Sequence, residues 1–202
     1  RALPGHQIMD LAGGTGDLTE LLAKKVGPQG QVILCDINEA MLDAGRDRLY
    51  DKGILSNVQF VLGDAESLPF PEQYFDAVTL AFGIRNVTDK ARALAEIRRT
   101  LKYGGKLIIL EFSKLTLPAL QPAYKAFSGL WPKVGEWITG DSQPYQYLIE
   151  SIKMHPDQES FADMLRTAGF SNVSYENVAG GVVAIHQGTN TDTTASPIQR
   201  DN

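Results

Sequence analysis

The chain has 202 residues, 43% of them hydrophobic, enough to bury one full sheet in a single domain. Nineteen Lys and Arg against 24 Asp and Glu leave a formal charge of −5, and without the basic cluster that a phosphate backbone demands, nucleic acid is excluded as a partner. One cysteine excludes an intrachain disulfide, and no apolar run approaches the ~20 residues of a bilayer-crossing helix, so contact with a lipid would be peripheral.

Arg1-Ala2-Leu3-Pro4-Gly5 leads almost at once into an apolar strand, His6 to Leu11, a start so abrupt that a segment is expected to be missing upstream. β-rich runs at Val32–Leu34, Val58–Leu62 and Phe75–Phe82 then alternate with amphipathic segments at Leu18–Val26, Glu39–Lys52 and Lys90–Leu101. Such alternation predicts βαβ units on a parallel sheet. Cys35, at the end of the run from Gln31, reads as a buried strand residue. Asn38 is placed to cap the second helix and Asp89 the third, which is expected to run to Tyr103, where Gly104-Gly105 stops it. A strand from Lys106 to Phe112 follows. Leu117 to Pro144 holds four prolines and both tryptophans, and reads as a lid or insertion on the sheet's C-terminal side. A helix is expected over Asp157–Ala168, ended by Gly169. Strands over Asn172–Val178 and Val182–His186, joined by Gly180-Gly181, predict an antiparallel hairpin. The domain is expected to span 1–188, and the polar tail Thr189–Asn202 to be disordered.

In Ile8-Met9-Asp10-Leu11-Ala12-Gly13-Gly14-Thr15-Gly16-Asp17 an apolar strand runs straight into a turn free of bulky side chains and then into a helix. This arrangement brings backbone N–H groups close to a ligand, although a plain strand-to-helix turn has the same appearance. The dinucleotide pattern G-x-G-x-x-G would need glycine where Thr19 stands, which argues against a pyrophosphate. Asp36 ends the second apolar run about 20 residues after the turn, where a carboxylate accepts from both hydroxyls of a ribose; its alternative role is a helix cap, already supplied by Asn38. In Gly63-Asp64-Ala65 a second carboxylate reaches the same edge, placed either to accept from the exocyclic amine of adenine or to be solvated in a loop. Three such features at consecutive strand ends fall on the carboxyl edge, where open α/β sheets bind ligands.

This order of an acidic residue on the first strand, the glycine turn, Asp36 and Asp64 resembles class I S-adenosylmethionine-dependent methyltransferases. The resemblance implies an α/β fold: a Rossmann-like seven-stranded, mostly parallel sheet with helices on both faces and an antiparallel last strand. Leu101-Lys102-Tyr103-Gly104-Gly105-Lys106-Leu107 is similar to the turn before their fifth strand, with Tyr103 where proline is usual. Further phrases narrow the resemblance: Asp10 to Asp17 with Ala12 at the first glycine site, Asp36-Ile37-Asn38, Phe82-Gly83-Ile84-Arg85-Asn86-Val87-Thr88-Asp89, Glu111-Phe112-Ser113-Lys114, Tyr145 to Ile152, and His155-Pro156-Asp157-Gln158. Together, over roughly Gln7 to Gln187, they resemble the ubiquinone/menaquinone biosynthesis C-methyltransferase family.

That family's activity implies transfer of a methyl group from S-adenosylmethionine, leaving S-adenosylhomocysteine, to a ring carbon of a polyprenyl benzoquinol or of demethylmenaquinol. The resemblance carries cofactor contacts onto Thr15, Asp36, Asp64 and Ala65, with the turn Ala12, Gly13, Gly14 and Gly16 and the neighbouring Ile37 completing the site. Ala81 stands where many relatives have a serine that touches the cofactor, so the side-chain hydrogen bond is expected to be absent and a backbone contact is left to it. Arg85 and Asn86 are placed at the reaction centre, Arg85 orienting water or stabilising a forming phenolate; a guanidinium is a poor general base, and its alternative is a surface ion pair with Asp89. His155 has a suitable intrinsic pKa for a base, against a structural role ahead of Pro156. Tyr124, Phe127, Leu130, Trp131, Trp137, Ile138, Tyr145 and Tyr147 read either as packing beneath a lid or as a wall for the quinol ring. No metal is expected, because His6, His155 and His186 are scattered. The resemblance also implies a cytoplasmic enzyme meeting the inner membrane or a quinone-biosynthesis assembly at its periphery, is compatible with a homodimer, and marks the family's N-terminal lid segment as absent. Two alternatives compete: another small-molecule methyltransferase of this fold, acting on oxygen or on a sterol-like carbon, and an inactive cofactor-binding member of an assembly.

Overall fold

The structure is a computed structural model that describes residues 2–54, 56–116 and 143–191. Strand β1 (Gln7–Leu11), helix α1 (Asp17–Val26), β2 (Gln31–Asp36), α2 (Glu39–Asp51), β3 (Val58–Leu62) and β4 (Phe75–Ala81) form the first half. A 3-10 turn (Ile84–Asn86) and α3 (Lys90–Thr100) lead to β5 (Leu101–Phe112), then α4 (Gln143–Met154), α5 (Gln158–Thr167), β6 (Phe170–Val178) and β7 (Val183–Asn190). The seven strands lie in the order β3-β2-β1-β4-β5-β7-β6. Neighbours from β3 to β5 pair in parallel, whereas β7 runs antiparallel to both β5 and β6. The expected sheet with its antiparallel last strand is therefore present.

Strand alternation explains why helices sit on both faces. Ile8, Val32, Leu34 and Val58 pack on one side with Leu22 and Val26 of α1 and Leu42 and Leu49 of α2. Met9, Ile33, Val78 and Ile109 point the other way, into a core with Leu94 and Ile97 of α3 and Phe161 and Leu165 of α5. Strands buried on both faces read as unbroken apolar runs rather than alternating ones. Cys35 is among them, and burial pushes its thiol up to about 12.

Helix starts follow local chemistry. Asn38 Oδ1 accepts from Met41 N at 3.3 Å and Asp89 Oδ1 from Arg92 N at 3.0 Å, so both expected caps form; Asp157 caps α5 through Ser160 N at 2.8 Å.

Several elements differ from the sequence reading. Helix α3 stops at Thr100 instead of Tyr103, because Leu101 turns extended (φ −79°, ψ 133°) to bury its side chain and pair with Phe75. The pair Gly104-Gly105 thus lies inside β5, near a register shift against β4, and does not terminate a helix. Helix α4 was not anticipated, and the hairpin strands are longer than read. Thr189 and Asn190, assigned to the polar tail, complete β7, where Asn190 Nδ2 donates to Leu101 O at 2.7 Å. Apart from Gln143 and Pro144 in α4, the expected lid lies outside the described residues, with Tyr124, Phe127, Leu130, Trp131, Trp137, Ile138 and the Tyr145 side chain; so does the tail beyond residue 191. Among the described residues no helix is long and apolar enough to cross a membrane.

Candidate functional site

The carboxyl ends of β1 to β4 surround a cavity of about 460 Å³, within the ordinary range for small-molecule sites. Ala12 and Gly14 from the glycine turn, Asp36 and Ile37 from the end of β2, and Asp64 and Ala65 after β3 all line it. The remaining expected contacts stand behind this wall. Gly13 packs on the sheet, where a Cβ would lie 2.9 Å from Leu34; Thr15 gives its hydroxyl to Asp17; Gly16 opens α1; and Ala81 is paired with Leu110 in β4. The wall also includes Met41, Glu66, Phe82 and Gly83, which the sequence reading did not single out as contacts.

Asp36 is 8% exposed and holds the turn together. Its Oδ2 accepts from Gly14 N and its Oδ1 from Asn38 N, both at 2.9 Å. A carboxylate has about four lone-pair sites, so two remain for hydroxyls in the cavity. Gly14 has φ +54°, and a Cβ there would meet no atom within 4 Å. Backbone conformation and the open space before it, not packing, therefore call for glycine. Asp64 is exposed, with Oδ1 accepting from Glu66 N at 2.9 Å.

Beneath the turn lies Asp10, fully buried, accepting from Thr19 Oγ1 at 2.6 Å and Thr79 Oγ1 at 3.0 Å. Burial raises its pKa to about 6, opposed by those hydrogen bonds. The only sequence signal for it was an acidic residue on the first strand.

The Phe82–Asn86 segment closes the cavity's other side. Phe82 takes φ +57°, uncommon for a bulky residue, and a Cβ on Gly83 would come within 2.6 Å of Ala12 Cβ. Asn86 lines the cavity, and its Oδ1 accepts from Tyr147 Oη of α4 at 3.3 Å. Arg85 turns away from it. Its guanidinium donates to Phe82 O and, at 2.9 Å, to Glu111 Oε1, and lies 5.5 Å from the Phe112 ring centre. This replaces the surface pair with Asp89, which is committed to capping α3. Glu111 was missed as a site residue: the phrase holding it was noticed, but nothing in it shows that β5 carries that side chain beneath the turn.

His155 is not part of the cavity wall. It is buried, 5.0 Å from the Phe161 ring, with Nδ1 lacking a partner among the described residues. Burial first, then the nearby Lys90 charge, depresses its pKa to about 4. This packing, apart from the described cavity wall, is that of a core histidine. Among the described residues no group of three His, Cys, Asp or Glu side chains is arranged to hold a metal.

Solved structures share this architecture. An S-adenosylmethionine-dependent methyltransferase from Aquifex aeolicus superposes with a TM-score of 0.70 at 18% identity, covering 95% of this chain and 85% of its own; at that identity the likeness speaks for the fold. Sequence relatives are much nearer. The ubiquinone/menaquinone biosynthesis C-methyltransferase UbiE of Stutzerimonas stutzeri is 56% identical over 185 residues, 91% of this chain and 72% of the relative. The protein of the same name from Yersinia enterocolitica is 55% identical over 91% of this chain and 74% of its own length. The profile of the ubiE/COQ5 methyltransferase family matches residues 1–190, and the chain belongs to that family.

Proposed function

We propose that this chain transfers a methyl group from S-adenosylmethionine to a ring carbon of a polyprenyl benzoquinol or of demethylmenaquinol. The observation that carries the reading is 56% identity over 91% of the chain to a ubiquinone/menaquinone biosynthesis C-methyltransferase. The described residues fit the cofactor: open space in front of Gly14, spare acceptor sites on Asp36 for ribose hydroxyls, and Asp64 with Ala65 at the end where an adenine amine would lie. When bound, this cofactor supplies an electrophilic methyl group on a sulfonium.

The chain's own part is to orient and to donate hydrogen bonds. Orientation of two reactants is worth ~7 to 11 kcal/mol in favourable cases. Asn86 is the polar side chain that the 3-10 turn presents at the wall. With Oδ1 engaged by Tyr147, its NH₂ group has no acceptor among the described residues and is positioned to donate to the quinol oxygen. Arg85, one residue behind and paired with Glu111, holds the turn that carries Asn86, while the hydroxyl proton and the displaced ring-carbon proton pass to solvent water. Thr15 and Ala81 enter the proposal as support for the turn and for β4 rather than as contacts through their side chains. A prenylated acceptor resides in a bilayer, so the enzyme meets the membrane at its surface.

Labelled S-adenosylmethionine offered with each quinol class provides the test. Label on a ring carbon is expected. Label on oxygen would instead indicate an O-methyltransferase, and cofactor binding without transfer to either quinol would indicate an inactive binding member.

A further inference from the structure

Arg85 and Glu111 form an ion pair whose side chains are 12% and 1% exposed, one residue behind a cavity-lining side chain. A buried ion pair is a weak source of stability compared with apolar residues of the same shape, so its position calls for another account. Glu111 grips Arg85 twice. Its Oε1 accepts from the guanidinium at 2.9 Å and its Oε2 from Arg85 N at 3.2 Å, while Phe112 N, at 2.8 Å, fixes the carboxylate to its own strand. The same guanidinium nitrogen donates to the carbonyl of Phe82. Both ends of the Phe82–Asn86 wall are thereby tied to one carboxylate on β5: Phe82 through its carbonyl, and the 3-10 turn through the Arg85 main chain. Phe82 needs such a tie, since a left-handed bulky residue persists only where its surroundings over-determine it.

We infer that Glu111 is a positioning residue for methyl transfer, acting through Arg85 to hold the Phe82–Asn86 wall so that the Asn86 amide faces the acceptor. The inference rests on the proposed reaction at this cavity. Glu111 does not itself line the cavity, so losing its charge should change the rate of transfer more than the binding of either partner. Because the carboxylate works through Arg85, removing Arg85 first should leave little for a second change at Glu111 to take away, as coupled residues behave in a double-mutant cycle.

The experiment compares wild type, Glu111→Gln, Glu111→Asp, Arg85→Gln and the doubly neutral Arg85→Gln/Glu111→Gln, reading kcat and KM for a quinol, S-adenosylhomocysteine affinity by calorimetry, and the amide resonances of Ile84–Asn86. In Glu111→Gln we expect kcat to fall at least tenfold, with quinol KM and cofactor affinity changing less than threefold and the Ile84–Asn86 resonances shifting. Glu111→Asp should restore part of the rate, and the double variant should be within threefold of Arg85→Gln. If an unpaired buried charge unfolds either single variant, the double variant, which leaves no charge unpaired, still decides the matter against wild type: a kcat within twofold of wild type overturns the inference. The inference is overturned if folded Glu111→Gln turns over within twofold of wild type, or if the two losses multiply. A wild-type protein that binds cofactor and methylates no quinol carbon would instead overturn the proposed reaction.

Discussion

Asp10 and His155 are ionisable groups that folding has removed from water, and acid acts on them in opposite directions. Asp10 binds its proton more tightly in the folded state, with a pKa near 6 against an ordinary 3.8, so its contribution is fully present below about pH 4 and is lost as pH rises through 6. His155 is the reverse: at about 4 against 6.5, its contribution is present above pH 6.5 and is lost as pH falls through 4. The two slopes partly cancel in the wild type. Urea midpoints between pH 4 and 7.5 should separate them: the stability difference between wild type and Asp10→Asn should shrink with rising pH, by on the order of 3 kcal/mol, while the difference for His155→Gln should grow. Flat differences in both would refute this assignment. Asp36 and Asp64 were legible from sequence because each closes an apolar run and so must emerge at the sheet's carboxyl edge. Glu111 was not, since an acid near the end of a strand acquires its meaning only from the turn that a neighbouring strand brings beside it.

The turn after β1 and the loop after β4 approach so closely that Gly83 has no room for a side chain. A Cβ on Gly83 would sit 2.6 Å from Ala12 Cβ, and both atoms are fixed by backbone, so the two wall segments would have to separate. Gly83→Ala is therefore expected to weaken S-adenosylhomocysteine binding at least tenfold, about 1.4 kcal/mol, in a protein that still folds; unchanged affinity by calorimetry would contradict the close packing of this wall. Helices α2 and α3 were legible because Asn38 and Asp89 announce them. The end of α3 was not, because Leu101, Lys102 and Tyr103 suit a helix as well as a strand and the pairing of Leu101 with Phe75 decides between them. Helix α4 escaped notice because its first turn contains Pro144 and follows a proline-rich stretch; proline is tolerated there, where a helix needs no N–H partner.

Strand order, not any single element, makes the site. Placing β1 between β2 and β4 brings the glycine turn, Asp36 and the Phe82–Asn86 wall to one crevice, and β3 beyond β2 adds Asp64. Alternating strands and helices made the parallel sheet legible, and Gly180-Gly181 the final hairpin. The tie between β5 and the cavity wall was not, since it depends on residues 26 apart in sequence meeting across β4 and β5. The account stands or falls on the strand-end cavity being the cofactor site, and calorimetric titration of wild type and Asp36→Ala with S-adenosylhomocysteine tests this most directly. Hydrogen bonds to a charged group are worth about 1.5–3 kcal/mol each, so Asp36→Ala should bind at least tenfold more weakly while keeping its helical circular dichroism; equal affinity in the two proteins would contradict it.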